Sequence, residues 1–192
     1  MNPPRTSGQR AGLTRDAVLG AARAVLAAEG LDALTMRALA RRLGVQPNTL
    51  YSHVKNKAAL VEALLDDVLA TVGSPAEPPD WRAGLHALMA DTHAALLTHP
   101  DLVPLFLGRG SRGPEAQRLG DEVEALLASG GIDGVPAREA LRILIVYTIG
   151  FAAFEVQPGF EEADATARRL QLAANFERGL EWLLEGIATA AR

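Results

Sequence analysis

Residues 43–57, LGVQPNTLYSHVKNK, decide the fold of the N-terminal third of this chain. Gly44 can adopt the left-handed backbone conformation that a tight corner between two helices requires. Pro47 suits the first turn of a helix, where a backbone N–H would be unpaired anyway. Leu50 and Val54 have the spacing to anchor this short helix to a core. The opposite side of the helix is polar and is expected to face solvent.

The segments on either side of this stretch predict further helices. Thr14 and Thr35 are suitable N-caps for two preceding helices, the first of which would end at Gly30. Asn56 could cap a fourth helix. Two helices joined by a tight corner, the second with a polar outer face, form a helix-turn-helix. The expected divisions are a flexible arm at 1–12, the helix-turn-helix domain at 13–56 and a connecting helix at 57–72.

The polar face of the short helix and its flanks suit the major groove of DNA and the neighbouring phosphates. Amide and hydroxyl groups can read base edges, and arginine can pair with guanine, a contact worth about 1–3 kcal/mol of discrimination. Lys57 is expected to point toward a phosphate together with the first N–H groups of the fourth helix. The residues assigned to DNA contact are Thr35, Arg37, Gln46, Pro47, Asn48, Thr49, Tyr51, Ser52, His53, Lys55 and Lys57.

Residues 13–70 resemble the DNA-binding domain of the TetR family of bacterial transcriptional regulators. The resemblance rests on a T-x-R-x-L-A pattern, a Gly-Val corner, an L-Y-x-H segment and a K-N-K-x-A-L segment, which begin at Thr35, Gly44, Leu50 and Lys55. It is strongest to the tetracycline repressor class and continues more weakly to the C-terminus. The resemblance implies a ligand-responsive regulator, a repressor that a small hydrophobic effector releases from a palindromic operator in double-stranded DNA.

The charges are unevenly distributed along the chain. The net charge is −4, but residues 1–60 contain nine lysine and arginine residues against three acidic ones, a net of +6, and residues 61–192 carry −10. A basic N-terminal part attached to an acidic body predicts salt-dependent binding to phosphates through one part of the molecule only.

The composition excludes several other kinds of protein. The chain has no cysteine, which excludes disulfides and thiol-based metal or redox sites. The N-terminal residues lack the apolar core of a secretory leader, and the apolar run at 143–154 is shorter than the roughly 18 residues that indicate a membrane span. The expectation is a cytoplasmic protein with no membrane partner and no cofactor.

The chain beyond the Gly- and Pro-rich linker at 73–80 predicts a second helical domain at 80–192. No alternating run indicates a strand, so the expected fold class is all-α, a helix-turn-helix domain followed by a helical bundle. The helices expected in this bundle span 81–96, 101–107, 115–128, 138–156 and 165–190.

Two apolar segments of the second domain indicate a homodimer. The segment 141–154 is apolar nearly all the way round, so more than one surface should cover it. In the resembled family, the two corresponding helices pair with their symmetry mates as a four-helix bundle. A twofold dimer would hold two reading helices about 34–36 Å apart on a palindromic operator. The residues assigned to this interface are Leu141, Ile145, Phe176, Leu180, Leu183, Leu184 and Ile187.

Much of the scarce aromatic content falls on helices of the second domain, and the family resemblance implies a ligand pocket there. A mostly apolar site with a few polar groups suits a small hydrophobic effector. For any single one of these residues, an ordinary place in the core is the favoured interpretation. The residues assigned to the pocket are Trp81, Met89, His93, Leu102, Phe106, Tyr147, Thr148, Phe151 and Phe154.

Two positions depart from the tetracycline-binding members of the resembled family. Phe106 stands where those members have a metal-ligating histidine, and phenylalanine cannot coordinate a cation. No metal site is therefore predicted, and magnesium-bound tetracycline is an unsuitable effector. Pro47, with Asn48 beside it, replaces a glutamine that helps to read the operator, so the recognised DNA sequence is expected to differ.

Two other functions are compatible with parts of the sequence. His86, Asp91, His93 and His99 could form a metal or acid–base site in a small helical enzyme, although Asp91 lies on a different side of the helix from His86 and His93. A DNA-binding architectural protein or a regulator without an effector would need only the helix-turn-helix. Neither a paired nucleophile nor a Gly-rich phosphate loop is present, and the chain is not expected to be an enzyme.

Overall fold

The computed structural model describes residues 12–75, 80–157 and 165–190, and within these ranges the chain is all-α, as predicted. None of the described helices is long and apolar enough to cross a membrane. Residues 1–11 of the predicted arm at 1–12 and residues 76–79 of the predicted linker at 73–80 lie outside the described residues. The described helices are α1 (Arg15–Ala33), α2 (Met36–Leu43), α3 (Pro47–Tyr51), α4 (Lys57–Leu69), α5 (Trp81–Leu97), α6 (Val103–Arg109), α7 (Pro114–Ser129), α8 (Gly134–Glu155) and α9 (Ala165–Ala190), with a 3-10 turn at Pro100–Leu102.

Side-chain caps fix the starts of three N-terminal helices where the sequence predicts them. The hydroxyls of Thr14 and Thr35 each accept a hydrogen bond of 3.1 Å from the backbone N–H three residues on. The amide oxygen of Asn56 accepts a similar bond of 2.8 Å. A cap of this kind satisfies an N–H group that has no partner inside the helix and stabilises the fold by about 1 kcal/mol.

Two glycines set the course of the chain in this part. Gly44 ends α2 in the left-handed region, with φ 65° and ψ 28°, and Pro47 begins α3, both as predicted. Gly30 differs from its predicted role as the end of the first helix. It has φ 79° and ψ 179°, so α1 breaks there and a short further turn follows to Ala33. Glycine adopts this conformation without the strain that a side chain would cause.

The chain divides into two compact units, residues 1–64 and 65–192. The boundary lies inside α4, so this helix contributes to both units. In the first unit, leucines of all four helices are at most 1% exposed, namely Leu19, Leu39, Leu50 and Leu60. The short α3 is thus held by its leucine rather than by its own length, which is too small for independent stability.

The second unit is built around α5 and α8, which pack against each other, with α6, α7 and α9 around them. Leu85 and Leu88 of α5, Leu144 of α8 and Phe176 of α9 are at most 1% exposed. The phenol of Tyr147 donates a hydrogen bond of 2.8 Å to the backbone carbonyl of Phe176 and so joins α8 to α9. The predicted helical bundle is confirmed.

The apolar stripe of α9 serves the core of its own protomer, which corrects part of the predicted dimer interface. Phe176, Leu180 and Leu184 are 1%, 0% and 4% exposed, and α9 packs against α5 and α8. A second subunit cannot reach side chains that are already buried in one protomer. An apolar stripe indicates burial but not which chain provides the cover. Leu183 and Ile187 are partly exposed, and their place in a dimer stays a prediction.

Candidate nucleic-acid interface and ligand cavity

The helix α3 buries its apolar side and exposes polar groups. Leu50 is fully buried and Val54 is 6% exposed, so these two residues hold the segment to the first unit. Thr49 is half-buried. The exposed residues of this segment, which we call the α3 face, are Gln46, Pro47, Asn48, Tyr51, Ser52 and His53. Their amide, phenol, hydroxyl and imidazole groups are of the kind that reads base edges and phosphates.

Two hydroxyls assigned to DNA contact already have partners within the protein. The Thr35 hydroxyl caps α2, and the Ser52 hydroxyl donates a bond of 2.7 Å to the carbonyl of Thr49. The Thr35 hydroxyl only accepts in its cap bond, so it keeps its hydrogen for a phosphate, whereas the Ser52 hydroxyl has already donated its hydrogen and keeps only lone pairs for a further donor. Arg37 and Lys55 are exposed and carry the cationic groups of this surface.

Lys57 does not extend toward a phosphate, which corrects its predicted role. Its ammonium group donates a hydrogen bond of 2.7 Å to the backbone carbonyl of Leu31 and is partly buried. That carbonyl lies in the short turn after the Gly30 break and also accepts a bond of 3.2 Å from the backbone N–H of Leu34. Lys57 therefore ties the start of α4 to the end of α1.

The two compact units carry opposite net charges. Residues 1–64 contain nine lysine and arginine residues against four acidic ones, a net of +5, and residues 65–192 carry −9. The first unit is therefore the one that a polyanion would bind. The α3 face lies in this basic unit.

The second unit contains a cavity of about 170 Å³. Helices α4, α5, α6, α7 and α8 all contribute to its wall. None of the described lining residues is ionisable, and the polar ones are the three hydroxyl residues Thr92, Ser111 and Thr148. The other lining residues are Leu69, Met89, Leu96, Phe106, Gly110, Ala116, Leu119, Gly120, Val123, Leu141, Ile145 and Ile149.

The cavity agrees only in part with the predicted pocket. Met89, Phe106 and Thr148 line it, whereas the other six predicted pocket residues are absent from its described wall. Those six are Trp81, His93, Leu102, Tyr147, Phe151 and Phe154. Leu141 and Ile145, which the sequence assigns to the dimer interface, also line the cavity, and because Ile145 is 42% exposed their place in a dimer stays a prediction. Periodicity identifies the inward faces of α5 and α8, but it does not say which inward residue meets a void and which meets a neighbour.

Three of the displaced residues form a packed aromatic cluster with Phe176. The ring of His93 stacks on that of Phe176 with centroids 3.9 Å apart, and the ring centroids of Tyr147, Phe151 and Phe176 lie 5.4–5.6 Å from one another. The Nε2 atom of His93 is 3.0 Å from Oε1 of Glu155, but in the described part of the chain neither atom has a hydrogen bond of good geometry. Burial lowers the pKa of His93 to about 4 and raises the pKa of Glu155. At neutral pH His93 is therefore a neutral packing residue.

The histidines of α5 do not assemble a catalytic or metal site in the described structure. His86 Nε2 lies 2.9 Å from Glu177 of α9, whereas His93 is paired with Glu155 of α8, and Asp91 is exposed. Within residues 12–75, 80–157 and 165–190, no group of three or more histidine or acidic residues could hold a metal ion.

A polar contact between α4 and α7 was not predicted. Asp66 of α4 is 7% exposed and accepts a hydrogen bond of 2.9 Å from the backbone N–H of Glu115 in the first turn of α7. Gly113, the N-cap of α7, has no side chain to serve that turn, and a Cβ there would collide with the Asp66 carboxylate. The guanidinium of Arg118 donates a bond of 2.7 Å to the carbonyl of Val72, just after α4. We call the contacts of Asp66, Val72, Glu115 and Arg118 the α4–α7 clasp.

The sequence contains a signal for this clasp, because Asp66 interrupts an apolar run on α4. The structure shows that Asp66 is one of the few buried polar residues in the described part of the chain. A carboxylate in such a place requires a partner, because an unpaired buried charge is costly.

Comparison with known proteins places both units in one family. The family model described as "Bacterial regulatory proteins, tetR family" matches residues 18–64, and the model described as "Tetracyclin repressor-like, C-terminal domain" matches residues 74–174. The tetracycline repressor protein class C of Escherichia coli is 33% identical over 202 residues, which cover 91% of this chain and 90% of that protein.

Two solved structures extend the similarity to the whole fold. ActR of Streptomyces coelicolor in complex with actinorhodin has a TM-score of 0.78 and 28% identity, covering 94% of this chain and 99% of that one. BioQ with its natural double-stranded DNA operator has a TM-score of 0.72 and 30% identity, covering 92% and 99%. With both of its units matched, this chain belongs to the TetR family of bacterial regulatory proteins.

Proposed function

We propose that this protein is a homodimeric transcriptional repressor of the bacterial cytoplasm, which binds a palindromic operator and is released by a small apolar effector. The observation that carries the proposal is the α3 face, an exposed polar surface directly after a Gly44 corner in the basic unit of an otherwise acidic chain. Residues 13–56 are assigned to DNA binding, 57–72 to a connecting helix and 80–192 to effector binding and dimerisation.

Base reading is assigned to the α3 face and to Arg37. Gln46 and Asn48 carry amides, which pair well with adenine, and an exposed arginine pairs well with guanine. Lys55 and Arg37 supply cations for phosphates, whereas Lys57 acts through the position of α4. The relative that is solved with its operator, BioQ, supports this assignment for the first unit.

Effector binding is assigned to the cavity of the second unit. The cavity is mostly apolar and lined by five helices, as expected for a small-molecule site. The complex of ActR with actinorhodin supports a ligand-binding role for the corresponding fold.

The α4–α7 clasp offers a route from the cavity to the DNA-binding unit. Leu69 of α4 and Leu119 of α7 both line the cavity, and Asp66 joins the same two helices by a buried hydrogen bond. An occupant that separates α7 from its neighbours therefore acts on α4, whose first half belongs to the basic unit. Couplings of this kind between two sites are typically about 1–3 kcal/mol.

The dimer surface is assigned to exposed apolar side chains of α8 and α9. Ile143 and Val146 of α8 and Trp182 of α9 are 48%, 70% and 70% exposed. Phe154 continues the α8 stripe at helical spacing and is 45% exposed. A twofold axis would bring two copies of this surface together and bury it. Large exposed hydrophobic side chains at this density are typical of interaction sites.

The proposal is tested by selecting bound DNA from a random pool with the purified protein. We expect a sequence with twofold symmetry, and Arg37→Ala or Asn48→Ala should relax the preference at defined positions of each half-site. The matched control is Lys55→Ala, which should weaken binding to operator and random DNA equally. Failure to enrich any sequence at low salt would refute the proposal.

An enzyme or an architectural protein is a less suitable assignment. The curated relative above is named as a repressor, and an architectural protein has no use for an apolar cavity beside α4. Elemental analysis for bound metal and an activity screen test whether the protein is an enzyme. A melting temperature that depends on an added effector would argue against an architectural protein.

A further inference from the structure

We infer that the cavity takes an uncharged molecule of one or two rings. This molecule carries a carbonyl or hydroxyl oxygen that accepts a hydrogen bond from the Thr148 hydroxyl. This inference rests on the proposed effector role of the cavity and names the chemical class of its occupant. It is argued from the size of the cavity, from its lack of charge and from one hydroxyl group in its wall.

The size of the cavity limits the occupant. Its volume is about 170 Å³. An engineered protein cavity of about 150 Å³ holds benzene, so the present one suits one ring or two small fused rings. Gly110, Ala116 and Gly120 open the wall on the side of α7, and Met89 is a flexible side chain that can adapt to an irregular ligand. A four-ring polyketide exceeds this volume.

The lining also limits the charge of the occupant. None of the described lining residues is ionisable, so an anion or cation would lose its water without gaining a counterion. A carboxylate, a phosphate or a metal chelate therefore finds no counterion among the described lining residues.

Thr148 is the polar group best suited to contact this ligand. Threonine hydroxyls in helices commonly donate to a carbonyl one turn earlier, and Thr92, Thr98 and Thr189 all do so. Thr148 is only 1% exposed, and its hydroxyl donates instead to the sulfur of Met89 at 3.5 Å. A thioether is a weak acceptor, so a ligand oxygen would be a better partner for this buried hydrogen.

The test compares three small probes and tetracycline by calorimetric titration of the full-length protein. The probes are indane, 1-indanone, which adds a ketone oxygen, and 1-naphthoate, a two-ring carboxylate that carries a negative charge. We expect indane and 1-indanone to bind, with 1-indanone about threefold to tenfold tighter because of one hydrogen bond. Binding of 1-naphthoate or tetracycline to the cavity in preference to 1-indanone, or no binding by either neutral probe, would overturn the inference.

Three variants locate the binding and its specificity. Thr148→Val keeps the shape and should abolish the preference for 1-indanone over indane. Thr92→Val is the matched control, since that hydroxyl already bonds to Leu88, and should keep the preference. Gly120→Leu should block both neutral probes, because a Cβ at Gly120 meets only a side-chain atom of Leu141 at 3.9 Å and a longer side chain can enter the void. A preference that survives Thr148→Val would contradict the role of this hydroxyl.

The inference and the proposed function fail in different ways. If 1-indanone binds with the expected dependence on Thr148 but leaves operator affinity unchanged, the ligand class stands and the regulatory role of the cavity is wrong. If the selected operator is bound and released by tetracycline but not by 1-indanone, the regulatory role stands and the ligand class is wrong.

Discussion

Lys57 and Lys55 lie two residues apart, yet their side chains have different roles in the structure. The ammonium group of Lys57 bonds to the carbonyl of Leu31 and is partly buried, whereas Lys55 is exposed. A hydrogen bond between a charged group and a backbone carbonyl stabilises the fold, while an exposed cation near DNA replaces a counterion. Lys57 is therefore expected to contribute to the stability of the fold and Lys55 to the binding of DNA.

We expect Lys57→Met to lower the free energy of unfolding by about 1 kcal/mol, because the carbonyl of Leu31 loses its cationic donor. Lys55→Met should leave unfolding within about 0.5 kcal/mol of the wild type and reduce the salt dependence of DNA binding by about one phosphate contact. Urea unfolding and DNA titrations over a range of salt concentrations measure both effects. If Lys57→Met instead reduced the salt dependence of DNA binding and left unfolding unchanged, Lys57 would be a DNA contact.

His93 makes the stability of the second unit depend on pH. Burial lowers the pKa of His93 from 6.5 to about 4. Between pH 6.5 and about 4, His93 is therefore protonated in the unfolded chain but neutral in the folded chain. Stability is therefore lost as the pH falls from 6.5 to about 4, by at most about 3 kcal/mol. The raised pKa of Glu155 acts in the opposite direction, because the folded chain takes up that proton first.

We expect His93→Phe, which keeps the stacking on Phe176, to unfold with a weaker dependence on pH between 7 and 5 than the wild type. The measurement is urea unfolding of both proteins at each pH. The same loss of stability on acidification in both proteins would place the titrating group elsewhere.

At the scale of the elements, α8 and α9 approach closely at a glycine. A Cβ at Gly179 would collide with the phenol oxygen of Tyr147, which itself bonds to the carbonyl of Phe176. Gly186 lies two turns further along α9, and a Cβ there would meet nothing within 4 Å. Gly179 is therefore required for the close packing of α8 and α9, whereas Gly186 is not required for packing within the protomer.

We expect Gly179→Ala to destabilise the protein by about 1–3 kcal/mol, as overpacking does. Gly186→Ala should instead stabilise it by up to about 1 kcal/mol, because alanine favours a helix over glycine. Thermal and urea unfolding of both variants give the comparison. The double variant Gly179→Ala with Tyr147→Phe should recover part of the loss, and no recovery would show that the collision is not the cause.

The α4–α7 clasp is the second contact that acts between elements. Asp66 provides the side-chain cap that Gly113 cannot provide for α7, and it does so from α4. Its removal should affect both the stability of α7 and the transmission of a signal to α4.

We expect Asp66→Ala to cost about 1 kcal/mol of stability, as lost caps do, and to reduce the change in operator affinity that 1-indanone causes. Asp66→Asn keeps an acceptor oxygen and is the control, with a response close to that of the wild type. DNA binding with and without the ligand measures the response. An unchanged response in Asp66→Ala would exclude the clasp from the coupling.

At the scale of the whole molecule, the largest exposed apolar side chains gather on the last two helices. We expect Val146→Glu and Trp182→Glu each to weaken self-association by about tenfold or more, because a buried charge would replace a central apolar contact. Ala125→Glu, at an exposed position of α7, is the control. Sedimentation equilibrium gives the dissociation constants, and dimers as stable as the wild type in both variants would exclude this surface.

Most of the local structure was predictable because it depends on neighbours in the chain. The caps at Thr14, Thr35 and Asn56 and the corner at Gly44 require only groups within four residues, and each lies where the sequence predicts it. Gly30 was harder, because positive φ marks a change of direction but does not say whether a further helical turn follows.

The sequence by itself determined the all-α fold, the family and the division into a basic and an acidic unit, since periodicity, capping and charge are properties of the chain order. Only the tertiary structure decided that Phe176 and Leu180 belong to the core of the protomer, that Lys57 bonds to Leu31 and that Asp66 caps α7. Each of these depends on residues that are distant in the chain. A pattern shows that a side chain needs a partner, and only the packing of the helices selects which one.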